Sequence, residues 1–219
     1  MADSKITGLP ALGAAPDDAD LVEIVDDVAG TPTSKQLTIA NLKLAMPIVK
    51  VGEATQGAPA ANLDVEFTLD ASIVALLVVL DGVELSSNDQ LDMLVKQGGA
   101  WVTTGYNSVA LSHSTSGSGN TDGTANGEAW KLTGDGGTWG VPANTPVNGE
   151  IRIVGNAGGS GYKSFHGSTA YEFPSGQHSH TKCGGDLDGG ATGAIQGLRL
   201  AHEGGGNIDA GTIRVWGLR

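Results

Sequence analysis

The sequence predicts a mainly β protein: an N-terminal arm with a short strand and a helical turn, followed by an antiparallel β-sandwich of jelly-roll type. Three observations lead there. Glycine is abundant, 35 of 219 residues, about twice the usual share of about 7%. It clusters where turns are needed, in QGGAW, GDGGTWG, GNAGGSGYKS, GGDLDGG and HEGGGN. Between these clusters lie short runs rich in Val, Ile, Thr and aromatic residues, the pattern of many strands joined by tight connections.

The elements follow in chain order. Residues 1–48 form the arm. LVEIVDD (Leu21–Asp27) alternates apolar and acidic residues and reads as a strand. AGTPT is a turn, and the stretch to Met46 reads as a strand through Ile39 and a helical turn from Ala40. So small a unit cannot bury a core of its own. Residues 49–63, dominated by Ala, Gly and Pro in their second half, read as a linker.

Residues 64–219 form the sandwich, with strands expected near 65–69, 73–80, 91–96, 100–104, 107–111, 128–132, 150–154, 163–166, 169–173, 178–183, 194–201 and 211–217. SIVALLVVL (Ser72–Leu80) is apolar on both faces, as a central strand should be. DQLDMLVKQ places Leu91, Met93 and Val95 on one face. GTIRVWGLR places Ile213 and Val215 on one face and Arg214, Trp216 and Leu218 on the other. No long helical period occurs after residue 50.

The formal net charge is −12. Bulk binding of nucleic acid or of an anionic membrane needs Lys and Arg, so neither is expected. Neutral glycans and basic partners fit better. The longest apolar run falls far short of the ~20 residues that span a bilayer, and no membrane insertion is expected. Cys183 is the one cysteine, so no intramolecular disulfide is available. The first residues lack a basic and apolar leader, which predicts synthesis in a cytoplasm.

Few motifs carry chemistry. GGSGYKS (Gly158–Ser164) has Tyr162 where a phosphate loop needs Gly before Lys-Ser, and reads as a hairpin loop. His178 and His180, two apart on a strand, share a face; with Cys183 they offer donors suited to Zn²⁺ or Fe, against the plainer reading of a polar strand and an Asp/Gly turn. DLDGG lacks the rest of a calcium loop. There is no nucleophile elbow, and no cofactor or catalytic activity is expected. Trp101, Tyr106, Trp139 and Tyr162 sit in or beside Gly/Ser/Thr-rich stretches and are candidates for stacking on a glycan or receptor.

The arm, KITGLPALGAAPDDADLVEIVDD…AGTPTSKQLTIANLKL (Lys5–Leu44), resembles the N-terminal attachment segment of tailed-bacteriophage fibre and appendage proteins. Ile6, Thr7, Leu9 and Pro10 carry its start. Asp20, Leu21, Val25 and Asp26 carry its strand, and Lys35, Thr38, Asn41 and Leu42 its end. The final stretch also resembles a phage-fibre ending, through Gly206, Asn207, Ile208, Gly211, Thr212, Ile213, Arg214, Trp216 and Gly217, with Trp216 where Tyr is commoner.

The resemblance implies a virion structural protein made in the host cytoplasm. Ile6, Leu9, Pro10, Leu21, Val25, Thr38, Asn41 and Leu42 would form a docking arm held by other phage structural proteins. The body would be a homotrimer displayed outward for receptor or glycan binding, as in a tail fibre or tail-tip protein. The alternative is a head-decoration (cement) or head-fibre protein that coats the capsid. A polysaccharide depolymerase is a third reading.

Overall fold

A computed structural model describes residues 21–26, 33–38, 47–135, 139–155, 157–159, 162–173, 176–188 and 193–219. No helix occurs among them, and every strand pairing is antiparallel. The chain divides into two compact units, Met1–Pro47 and Ile48–Arg219.

In the first unit β1 (Leu21–Asp26) pairs with β2 (Thr33–Thr38), Leu21 opposite Thr38 and Val25 opposite Ser34. β2 covers the expected strand as far as Thr38; Ile39 lies outside the described residues. The expected helical turn, and Ile6, Leu9, Pro10, Asn41 and Leu42, lie outside the described residues.

The second unit holds two sheets around one core. The strands are β3 (Ile48–Gln56), β4 (Asn62–Glu66), β5 (Ala75–Leu85), β6 (Leu91–Gln97), β7 (Ala100–Trp101), β8 (Tyr106–Ser114), β9 (Gly119–Gly127), β10 (Trp130–Lys131), β11 (Val147–Val154), β12 (Lys163–Glu172), β13 (His178–Leu187), β14 (Gly197–His202) and β15 (Ile208–Leu218). Eight of them run in the order β3-β15-β5-β11-β12-β13-β8-β9. The other five form β10-β6-β14-β4, with β7 also on β6.

Period-two alternation places the core. Leu91, Met93 and Val95 of β6, and Ile213 and Val215 of β15, are fully buried. Leu76, Val78 and Leu80 of β5 join them, while Leu77 and Val79 turn outward and stay partly exposed. Trp130 is the largest buried side chain. Its ring packs edge-on to Tyr106, centroids 5.4 Å apart, and 4.6 Å from Phe165. Its indole N–H donates to the Asp186 carbonyl at 2.8 Å, so burial leaves no orphan donor.

Three expectations change. Residues 49–63, read as a linker, carry β3 and the start of β4; Val49 and Val51 pack against the core, and β3 pairs with β15 along the sheet edge. Gly119–Gly127, outside every expected strand, is edge strand β9 on β8. The two strands expected on either side of Gly167 are one strand, β12. Gly167 is there for closeness: a Cβ would lie 2.4 Å from the Glu150 carbonyl oxygen of neighbouring β11.

Candidate functional site

The outward face of the eight-stranded sheet carries the richest polar array. On β13, His178, His180 and Lys182 point to solvent, while Ser179, Thr181 and Cys183 point into the sandwich. Strand parity thus separates the expected metal ligands: Cys183 cannot join His178 and His180. Burial raises the Cys183 thiol to about pKa 12. Among the described residues no group of three or more His, Cys, Asp or Glu side chains is placed to hold a metal ion.

Register fixes the neighbours on this face. His180 lies opposite His113 of β8 and Ala170 of β12. Arg152 of β11 lies opposite His166 of β12, and Ser168 stands between Glu150 and Lys182. Glu150, Arg152, His166, Gly167, Ser168, His180 and Lys182 line a groove of about 610 Å³, with part of Cys183 at its floor.

The four aromatic candidates do not converge. Tyr106 is fully buried; its hydroxyl accepts from Val95 N–H at 2.8 Å and donates to the Val102 carbonyl at 3.1 Å. It offers no ring to a ligand, so its place among the stacking candidates is withdrawn. Trp101 lies on the outer face of the smaller sheet. The Arg199 guanidinium sits 4.3 Å from its ring centre and Lys96 Nζ 5.8 Å. Arg199 is itself held by a two-pronged bond to Asp64, both contacts 2.7 Å.

Tyr162 and Trp139 belong to opposite ends of β12. Tyr162 precedes the strand and is 60% exposed. A hydrogen bond with Asp186, and the negative charges of Asp186 and Asp188, raise its phenol pKa. Trp139 packs edge-on to Phe173, just past the strand's other end, at 6.2 Å. A ten-residue strand spans roughly 30 Å, so no single sugar chain end reaches both rings at once.

Two further constellations were not singled out from sequence. Lys131 Nζ contacts Asp122 at 2.9 Å, Glu203 at 3.3 Å and the Gln90 side-chain oxygen at 2.5 Å. Asp92 faces this ammonium across the β6–β10 ladder. Its Oδ1 is sealed from water and accepts no hydrogen bond. Burial, with the charge of Glu203 next, raises the Asp92 carboxyl to about pKa 8.

The other is Ser87, His202 and Asp89, residue types of a nucleophilic triad. Ser87 Oγ lies 2.7 Å from His202 Nε2, and Asp89 Oδ2 3.0 Å from Nδ1. The geometry is that of a clamp. The Nδ1 contact is off the hydrogen-bond axis, leaving that nitrogen unsatisfied, and Oδ2 also accepts Gly204 N–H at 2.8 Å. Gly206 folds over the ring so closely that a Cβ there would lie 2.6 Å from Nε2. The imidazole is buried, which restricts the access that general acid–base transfer requires. The three residues tie the β5–β6 turn to the β14–β15 turn.

In GGSGYKS the described residues include the lysine. Lys163 is buried, and its ammonium donates to the Gly155 and Gly159 carbonyls at 3.2 and 2.9 Å. The loop's cation is spent on its own backbone. Comparison with known proteins gives no match: no family model, no curated protein and no solved structure is similar to this chain.

Proposed function

We propose that this is a virion structural protein of a tailed phage, anchored through residues 1–48 and displaying its sandwich as a tail fibre or tail-tip protein that contacts the host surface. The supporting observation is that the second unit holds a buried core among its own described residues. Among the described residues that core runs from Leu63 to Val215 with Val49 and Val51 packed against it, and β1 and β2 form a two-stranded sheet. A display module needs such a body, complete without the segment that docks it. The jelly-roll reading draws on the repeated crossing between sheets along β3, β4, β5 and β6; the β11–β12–β13 meander departs from it. Ile48 and Val74, each about half exposed, flank Leu218 at one end of the body. Apolar groups left there suit packing between sister chains in a homotrimer.

Removing residues 1–47 tests the anchor. The remaining body should keep a β-rich circular dichroism spectrum and a cooperative melt, yet be missing from particles when supplied to a phage lacking the gene. Truncated protein found on particles at the full-length level would overturn the anchoring role. The copy number per particle separates the tail reading from head decoration, which would require hundreds of copies.

A further inference from the structure

The outward groove on β11–β13 stands apart from the charge pattern of the rest of the molecule. Acidic residues outnumber Lys and Arg by 24 to 12, so a cation in the body ordinarily has a carboxylate beside it. Lys50 pairs with Glu53, Lys96 with Glu66, Lys131 with Asp122, Arg199 with Asp64 and Arg214 with Asp81. Lys163 is bound by carbonyls, and Arg219 reaches Ser72. Arg152 and Lys182 are different. Neither has a carboxylate partner among the described residues, and both are exposed on the same groove.

Histidine is concentrated there too. Of the chain's five histidines, His113, His166, His178 and His180 are all exposed on the outer face of β8, β12 and β13. One acid, Glu150, lines the groove, and Glu172 lies beyond it, opposite His178.

We propose that this groove binds an acidic polysaccharide, with Arg152 and Lys182 taking its anionic groups. Unpaired cations in an acidic protein keep their full charge for a ligand, and both bond carboxylate or sulfate oxygens strongly. Between them, Ser168 and the imidazoles of His166 and His180 offer donors and acceptors suited to ring hydroxyls. Partly exposed apolar residues border the array: Leu77 lies opposite Arg152, and Leu111 opposite Lys182. They suit the C–H faces of sugars.

Glu150 within the groove and the net negative charge around it weigh against densely charged polyanions such as nucleic acid. Arg152 and Lys182 stand on the two strands that flank β12, roughly 10 Å apart, a span that takes anionic groups two sugars apart on one chain. The groove is distinct from the aromatic loops, and the inference holds whether or not residues 1–48 dock on a particle.

The test uses full-length protein and titration calorimetry with four polymers: polygalacturonate, a lightly substituted dextran sulfate with about one sulfate per sugar at most, neutral dextran and single-stranded DNA. Binding of polygalacturonate or dextran sulfate is expected, and their relative affinity tells whether carboxylate or sulfate is preferred. The double variant Arg152→Gln/Lys182→Gln should bind at least about tenfold more weakly, the loss of a charge-assisted bond, with an unchanged melting temperature. Lys50→Gln, away from the groove, should bind as the parent does. The proposal is overturned if neither acidic polysaccharide binds, if neutral dextran binds as tightly, if DNA binds more tightly than both, or if the double variant keeps parental affinity.

Discussion

Replacing Asp92 with Asn should stabilise the protein, increasingly so as pH rises. In the folded chain this carboxyl keeps its proton to about pH 8, against an ordinary value of 3.8. An unfolded Asp92 gives its proton up near pH 4. Between those values folding takes up a proton, so stability falls with rising pH until the folded group ionises. Four pH units at about 1.4 kcal/mol each set a ceiling of roughly 6 kcal/mol. Local rearrangement that lets water reach the ionised carboxylate reduces this, and about 2–3 kcal/mol is the expected penalty. The amide of the Asp92→Asn variant mimics the protonated acid in size and titrates nowhere in this window. Urea denaturation of both proteins from pH 4 to pH 9 is the assay. The curves should nearly coincide at pH 4 and separate through pH 8, with the variant the more stable form. A gap that does not change with pH, or a variant less stable at pH 9, would refute the reasoning.

Other outcomes are expected of the core. Tyr106→Phe removes a hydroxyl that serves both Val95 N–H and the Val102 carbonyl, and should cost about 1–3 kcal/mol of unfolding free energy. A loss under a few tenths of a kcal/mol would mean that those groups find other partners. Cys183, inward-facing and with its thiol held high by burial, should resist a thiol-specific reagent at pH 8 in the native protein and react at once in denaturant. Fast native labelling would place the side chain outside the sandwich.

The parts of the fold that were legible in sequence are those where period-two alternation is strong. Leu91, Met93 and Val95 announce β6, and Ile213 and Val215 announce β15. β9 was invisible because GNTDGTANG contains no residue that needs burying; it is a strand only because β8 offers it a hydrogen-bonding edge. β3 was obscured by the Gly, Ala and Pro that follow it. Tyr106 stands beside Gly105 in a stretch that resembles a loop, yet its ring fills the space beside Trp130. At the groove, the shared face of His178 and His180 could be read from their spacing. That His113 lies opposite His180, and that Arg152 and Lys182 lack carboxylate partners, depends on register between strands distant in sequence, which no local pattern encodes.

The position of β15 bears on how the body comes into being. It lies between β3 and β5, with Ile48 opposite Leu218 on one side and Ala75 opposite Leu218 on the other. On the ribosome, β3 and β5 are made early and wait, with unpaired edges, until residues 208–218 emerge. The meander β11–β12–β13 can zip locally during that interval; the β3–β15–β5 border cannot. Closure over so long a loop is slow, and the waiting edges are open to wrong pairing with neighbouring nascent chains. The polar, glycine-rich composition of β9 at the opposite border limits that hazard on one side only, so nascent chains stalled before residue 208 are the species most prone to aggregate.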